Sequence, residues 1–302
     1  MAGEQAYPYA FGPAPVAEPC LDVCELVSLG ETPAETLGQL GWQLERPELA
    51  GAERIYVGSN FCPQALFAST ELISASVAFA RAAGMQVTLS LPIFAQRFIA
   101  EGLDYLDACL RVGEETIDEV TVNDFGMLAH LSLAGYGVGI NIGRLLNKDT
   151  RDPRDPYYPH MPYVPNSVRK GPDGRSFLQA NILAFSSFDQ VRGVEFDPTH
   201  DALDLSQLDA RLTPAVHGPL CYMSTGQICE YASIGRPDAK SYRANDACAL
   251  QCTRTASRYY GESEVEFYKL GRTVYFDAPD VSVSGVESYR QLHAVLAERR
   301  PS

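Results

Sequence analysis

The chain has 302 residues, is 46% hydrophobic and carries a formal net charge of −14. That apolar content supports a sizeable core and excludes wholesale disorder, while the acidic balance excludes a large phosphate-binding surface built on Lys and Arg, so no nucleic acid is expected as a partner. No run of about 18 apolar residues occurs, so no membrane span is expected, and "MAGEQAYPYAFGPAPVAEP" lacks the basic start and apolar stretch of a secretion signal.

Residues 1–19 read as an irregular lead rich in Pro and Gly. "LDVCELVSLG" and "ERIYVGSNF" then read as short buried strands. "STELISASVAFARAAG" is a helix: Ser69 or Thr70 can cap its first amides, Leu72, Ile73, Val77, Phe79 and Ala80 form an apolar face, and Gly84 stops it. In "QVTLSLPIF" the alternation of Val87, Leu89 and Leu91 predicts a strand. A helix over "RFIAEGLDYLDACLRVGEE" places Cys109 on its apolar face, where a small core side chain is expected. A strand ("DEVTVND"), a helix ("FGMLAHLSLAG") and another strand ("YGVGINIG") follow. Strands alternating with helices at these spacings imply parallel pairing through right-handed crossovers.

The alternation then loosens into a long loop, "LLNKDTRDPRDPYYPHMPYVPNSVRKGPDGRS", of the kind that usually carries a function. Its "DPYYPHMPY" stretch could cover a hydrophobic or aromatic substrate. Strand-like segments resume in "NILAFSSFDQ", "VRGVEFDP" and "QLDARLTPAVHG". "EVEFYKLGRTVYFDAP" resembles a hairpin and "GVESYRQLHAVLAERR" a closing helix. The simplest reading is a single α/β domain over 1–302, a complete or distorted (β/α) barrel with a cysteine-rich loop region. Chemistry in such a barrel collects where strands hand over to loops.

With no secretion signal the expected compartment is cytoplasmic, where thiols stay reduced, so eight cysteines need a purpose other than disulfides. Cys62 follows the strand "RIYVG". Cys221 and Cys229 lie eight positions apart after "TPAVHG", and Cys248 and Cys252 lie four apart in "ACALQC". Thiolates at strand-to-loop transitions converge on one end of a barrel, where four can hold Zn²⁺ or an iron–sulfur cluster. The spacing fits a zinc knuckle of two tight pairs poorly, and a cluster tolerates irregular spacing better. Zinc and unrelated buried thiols remain the alternatives. Cys20 and Cys24 would share one strand face as core residues, or form a redox or metal pair.

"RIYVGSNFC", "GMQVTLSL", "VTVNDFGMLAHL", "INIGRLLNKDTRDPR", "HGPLCYMSTGQICEYAS" and "ACALQC", in this order, resemble peptidase family U-32, the collagenase-like proteins. The short length is most similar to the UbiV/UbiU-type single-domain members, which assist oxygen-independent ubiquinone synthesis. The resemblance implies a 4Fe–4S cluster held by Cys62, Cys229, Cys248 and Cys252. A second family pattern, "HGxxC", would put Cys221 in place of Cys62. The resemblance also implies redox modification, such as oxygen-independent hydroxylation, of a small molecule, and a heteromeric partner from the same family. A peptidase is the alternative function, although no G-x-S-x-G or H-E-x-x-H motif is present. A scaffold that carries a cluster for a partner enzyme is another, and RNA-base modification fits poorly with the acidic balance.

Four further residues are candidates for catalytic or binding roles. Asn123 and Asp124 end a strand, where Asp124 could cap the next helix or face a substrate. Arg144, with Lys148, Arg151 and Arg154 beyond it, could bind a carboxylated small molecule or pair with nearby aspartates. His217 precedes the late cysteines and could carry a proton or only pack.

Overall fold

A computed structural model describes residues 13–25, 33–112, 117–147, 188–198, 202–233, 244, 248–253, 257–260, 265–278 and 282–295. In chain order the first strands and helices are β1 (Val16–Asp22), α1 (Pro33–Leu44), β2 (Arg54–Gly58), α2 (Pro63–Ala68), α3 (Thr70–Ala82), β3 (Gln86–Leu91), α4 (Ile99–Asp107), β4 (Glu119–Val122), α5 (Phe125–Ala134) and β5 (Gly139–Ile142). The remaining strands are β6 (Val191–Phe196), β7 (Ala202–Asp204), β8 (Thr213–Gly218), β9 (Leu220–Thr225), β10 (Ser257–Tyr260), β11 (Glu266–Leu270), β12 (Thr273–Asp277), β13 (Ser282–Ser284) and β14 (Ser288–Ala294). Eight of them close a barrel in the order β1-β14-β8-β6-β5-β4-β3-β2, and every neighbouring pair is parallel. This is the α/β barrel expected from the alternation of strands and helices.

Each strand divides its residues between two environments because its side chains alternate in direction. Ile55 and Val57, Val87, Leu89 and Leu91, Val120 and Val122, and Ile140 and Ile142 point outward and pack under α3, α4 and α5. Their neighbours Arg54, Tyr56, Thr88, Ser90, Glu119, Thr121 and Asn141 are equally buried, but inside the barrel. Gly84 ends α3 in the left-handed conformation, φ 72°, as the sequence predicts. Ser69 and Thr70 do not cap that helix. Because α2 runs almost directly into α3, their hydroxyls donate back to Leu66 O at 3.0 Å and Phe67 O at 2.8 Å.

Two expectations near the termini are corrected. The lead does not stay irregular to residue 19, since β1 begins at Val16. Pro19 is tolerated there because β1 meets β2 only at Leu21 and Asp22, leaving the strand one-sided earlier. The predicted closing helix is, over Ser288–Ala294, strand β14, which pairs with β1 on one side and β8 on the other. Arg290 and Leu292 enter the barrel, and pairing on both edges outweighs the helical spacing of Tyr289, Leu292 and Val295.

Between β8 and β14 the chain departs from strand–helix alternation. The predicted hairpin is present as β11 and β12, joined across Gly271 at φ 61°. It belongs to a four-stranded antiparallel sheet, β10-β11-β12-β9. Tyr222, Tyr268 and Tyr275 of this sheet pack on Phe61 and Leu145, which follow β2 and β5, so the sheet sits against the carboxyl ends of barrel strands. Phe61 lies 5.1 Å from the Tyr222 ring and 5.9 Å from that of Tyr275, centroid to centroid. Among the described residues, no helix is long and apolar enough to cross a membrane.

Candidate functional site

The barrel interior carries charge at both ends. At the amino ends of the strands, the Glu119 carboxylate accepts two hydrogen bonds from Arg290, at 2.7 and 3.0 Å, and one from Arg54 at 2.9 Å. Asn141 and Thr88 add donors at 3.1 and 3.2 Å. Burial alone would raise the Glu119 carboxyl, but Arg290 and Arg54 bring it below the ordinary value.

At the carboxyl ends, His217 of β8 is fully enclosed. Its Nε2 lies 2.9 Å from Glu195 of β6, and its Nδ1 lies 3.6 Å from Asp22 of β1 and 3.2 Å from Nη1 of Arg144. Burial and the Arg144 charge press the imidazole toward neutrality, yet the bonds to Asp22 and Glu195 prevail and raise its pKa. Burial likewise works against ionisation of Asp22, but the His217 contact holds that carboxyl below its usual value. Thr121 donates to the other oxygen of Glu195 at 2.7 Å.

Arg144 is buried rather than presented to solvent. Its guanidinium makes a two-pronged pair with Asp197, through Nε to Oδ2 at 3.0 Å and through Nη2 to Oδ1. It also lies over the rings of Phe61 and Tyr222, 5.5 and 5.0 Å from their centroids. Its carbonyl accepts the Tyr222 hydroxyl at 2.8 Å. The aspartate that pairs it is therefore not a sequence neighbour but Asp197, at the end of the next strand. Lys148, Arg151, Arg154 and the Tyr-rich loop lie outside the described residues.

Asn123 and Asp124 hold backbone. The Asn123 amide donates to Leu91 O at 2.9 Å and Asn60 Oδ1 at 3.2 Å, and its oxygen accepts from Leu145 N at 2.9 Å. One side chain thus ties together the ends of β2, β3, β4 and β5. A Cβ at Gly143 would stand 2.4 Å from Asn123 Oδ1, so this junction requires a glycine. Asp124 is the amino-terminal cap of α5, accepting from Met127 N at 2.7 Å.

The late cysteines gather beside this mouth. Cys62 is the residue before α2. Gln64, two residues on, accepts from both the amide and the thiol of Cys248, at 3.0 and 3.2 Å, although 184 positions separate them. The single-turn helix Tyr231–Ser233, just after Cys229, packs against the single-turn helix Gln251–Thr253, which contains Cys252. Burial pushes the Cys252 thiol up to about 12, and the neighbouring charges of Cys62, Cys229 and Cys248 add to the rise. Cys62 is raised by burial too, with Arg272 drawing it partly back. Leu250, between Cys248 and Cys252, holds a left-handed φ of 55°, a conformation that is strained for a leucine.

The other four cysteines have separate surroundings. Cys221 lies between Phe267 and Phe276, and its thiol donates to Pro198 O at 2.8 Å. Cys20 and Cys24 pack inside the barrel with Tyr56, Ala215 and Leu292, and burial raises both thiols. Cys109 is half-buried against the outer core.

Sequence reasoning missed the acidic side of this site. Asp22, Glu195 and Asp197 surround His217 and Arg144, and Glu25 lies beside the thiols. Burial raises the Glu25 carboxyl to about 7, although Ser59, Asn60 and Phe61 donate to it. A signal was available in "VEFDP", where two carboxylates two positions apart end an apolar strand and so share its inward face.

Four thiols in one another's field, half-enclosed, form a soft donor set that suits a cationic iron–sulfur or zinc centre. Among the described residues, no three His, Cys, Asp or Glu side chains converge as closely as a single ion demands. No protein-family model matches the chain, and no curated protein matches it.

Proposed function

We propose that the chain is an iron–sulfur protein of the U-32 type, with Cys62, Cys229, Cys248 and Cys252 holding a 4Fe–4S cluster at the barrel mouth. Its role in this reading is redox modification, such as oxygen-independent hydroxylation, of a small aromatic or carboxylated molecule. The observation that carries the reading is the meeting of four thiols from three distant segments, tethered through Gln64 and the paired single-turn helices. Once bound, a cluster with four cysteine ligands supplies one-electron transfer.

The chain's own residues supply the rest. His217, between Glu195 and Asp22, can take up or release a proton in a water-poor interior. Arg144 connects this group to the thiols, because the Phe61 ring beneath it belongs to the residue before Cys62. A substrate carboxylate would reach Arg144 by displacing Asp197. A peptidase has less support: the His217 nitrogens face Glu195, Asp22 and Arg144, and neither is aimed at a Cys or Ser nucleophile.

Anaerobic purification with iron, sulfide and zinc quantification tests the proposal. About four irons and four sulfides per chain are expected. One zinc without sulfide would make the thiols structural and overturn the redox reading. Cys62→Ala should remove most of the iron and Cys221→Ala should keep it. The reverse result would transfer the fourth ligand to Cys221.

A further inference from the structure

Just beyond β1 the chain stays bonded to β2, Val23 N to Tyr56 O at 2.9 Å, and then turns at Glu25. Glu25 adopts a left-handed φ of 65°, which few non-glycine residues adopt without a compensating contact. Its amide donates to Gly58 O at 3.0 Å, and its side chain reaches the loop after β2. There one carboxylate oxygen accepts from the amides of Asn60 and of Phe61, the latter at 3.2 Å. The other accepts the Ser59 hydroxyl at 2.7 Å. Ser59 Oγ in turn accepts the Cys62 amide at 2.9 Å and the Phe61 amide at 3.3 Å.

One carboxylate and one hydroxyl therefore take up three consecutive amides, those of residues 60 to 62. Asn123 grips the same loop from the opposite side through Asn60 Oδ1, at 3.2 Å. Both Ser59 and Asn60 are buried, so solvent offers these amides no ready alternative.

We infer that Glu25 is the positioning residue for Cys62, fixing the thiol's backbone through Ser59 so that it faces the other cysteines. The inference builds on the proposed cluster site but is tested without it. Backbone placement decides how closely four thiols can surround one inorganic group, and Cys62 comes from a loop remote in sequence from the other three. A carboxylate from a fourth segment is a means of locking such a loop in advance.

The test is alkylation of the metal-free full-length protein with iodoacetamide, with each cysteine followed by peptide mass spectrometry. Glu25→Ala should raise the rate at Cys62 roughly tenfold, the scale of losing hydrogen bonds to a charged acceptor. Cys221, under its own sheet, should stay protected and report that the fold is intact. Glu25→Gln keeps an oxygen for the Asn60 and Phe61 amides but loses the acceptor of the Ser59 hydroxyl, so its Cys62 rate should fall between those of wild type and Glu25→Ala. Ser59→Ala breaks the relay at its second member and should expose Cys62 as Glu25→Ala does. An unchanged Cys62 rate in both alanine variants, or an equal rise at Cys221, overturns the inference. Wild-type protein purified without iron or sulfide would sink the cluster reading instead and leave the alkylation result to decide the role of Glu25. If wild type is iron-loaded, Glu25→Ala should lose iron several-fold and Glu25→Gln should lose less; equal loading in all three would also overturn the inference.

Discussion

At the floor of the barrel one carboxylate, Glu119, is held between two guanidinium groups, whereas at the mouth three carboxylates share one guanidinium and one imidazole. Arg290 and Arg54 hold the Glu119 carboxyl below its ordinary value, so it stays charged at neutral pH. At the mouth His217 can exist in two states. Neutral, it accepts from Arg144 at Nδ1; protonated, it turns that N–H to Asp22 and no longer accepts from Arg144. The same interior therefore contains a fixed brace and an adjustable group, and only the latter lies beside the thiols.

The largest expected effect breaks the brace. Glu119→Ala leaves two buried guanidinium groups without their carboxylate and should cost about 3–5 kcal/mol in urea unfolding. Iron content of the folded fraction should be unchanged. A cost below about 1 kcal/mol would show that the floor relaxes as readily as an exposed ion pair. A smaller loss is expected at the junction behind the mouth. Gly143→Ala forces a methyl against Asn123 Oδ1 and should cost about 1–3 kcal/mol, measured in the same way. Wild-type stability there would mean that the ends of β4 and β5 separate easily.

The smallest effect sharpens the contrast in pH. The raised pKa of His217 means that its stabilising charge is fully present below the ordinary value of 6.5 and is lost as pH rises through the folded value. Asp22 and Glu119, both lowered, act in the opposite sense, and their contributions fade only as acid protonates them. Urea midpoints of wild type should therefore fall from neutral to alkaline pH more than those of His217→Gln. Parallel curves would remove His217 as the adjustable member.

The parts of this fold legible in the sequence are those where local pattern and tertiary environment agree. Val87, Leu89 and Leu91 alternate because one face of β3 meets helices, and Gly84 stops α3 because the chain needs a left-handed residue there. The hairpin around Gly271 was legible for the same reason. β14 was not: its identity depends on two partners, one of them more than 270 positions away at the start of the chain. Site residues divide similarly. Cys62, Cys229, Cys248 and Cys252 stand out by type, and Asp124 by its place before a helix. The partners that fix Arg144 and His217 come from other strands, and only inward alternation in β1 and β6 could have indicated Asp22, Glu195 and Asp197. Glu25 had no such pattern, since its role depends on a backbone turn that the sequence does not mark.

The order of strands around the barrel also sets the timetable of folding on the ribosome. Among the described residues β1 precedes the other barrel strands and β14 follows them, and the two pair with each other. Until Ser288–Ala294 has been made, β1 and β8 must wait as open edges, while all eight cysteines have already left the exit tunnel or lie within it. A nascent chain with accessible thiols and two unpaired parallel edges has high contact order and is exposed to mispairing. Closure of the barrel is thus a late event, and a stop codon placed just before β14 would yield a chain with every thiol present and no closed barrel.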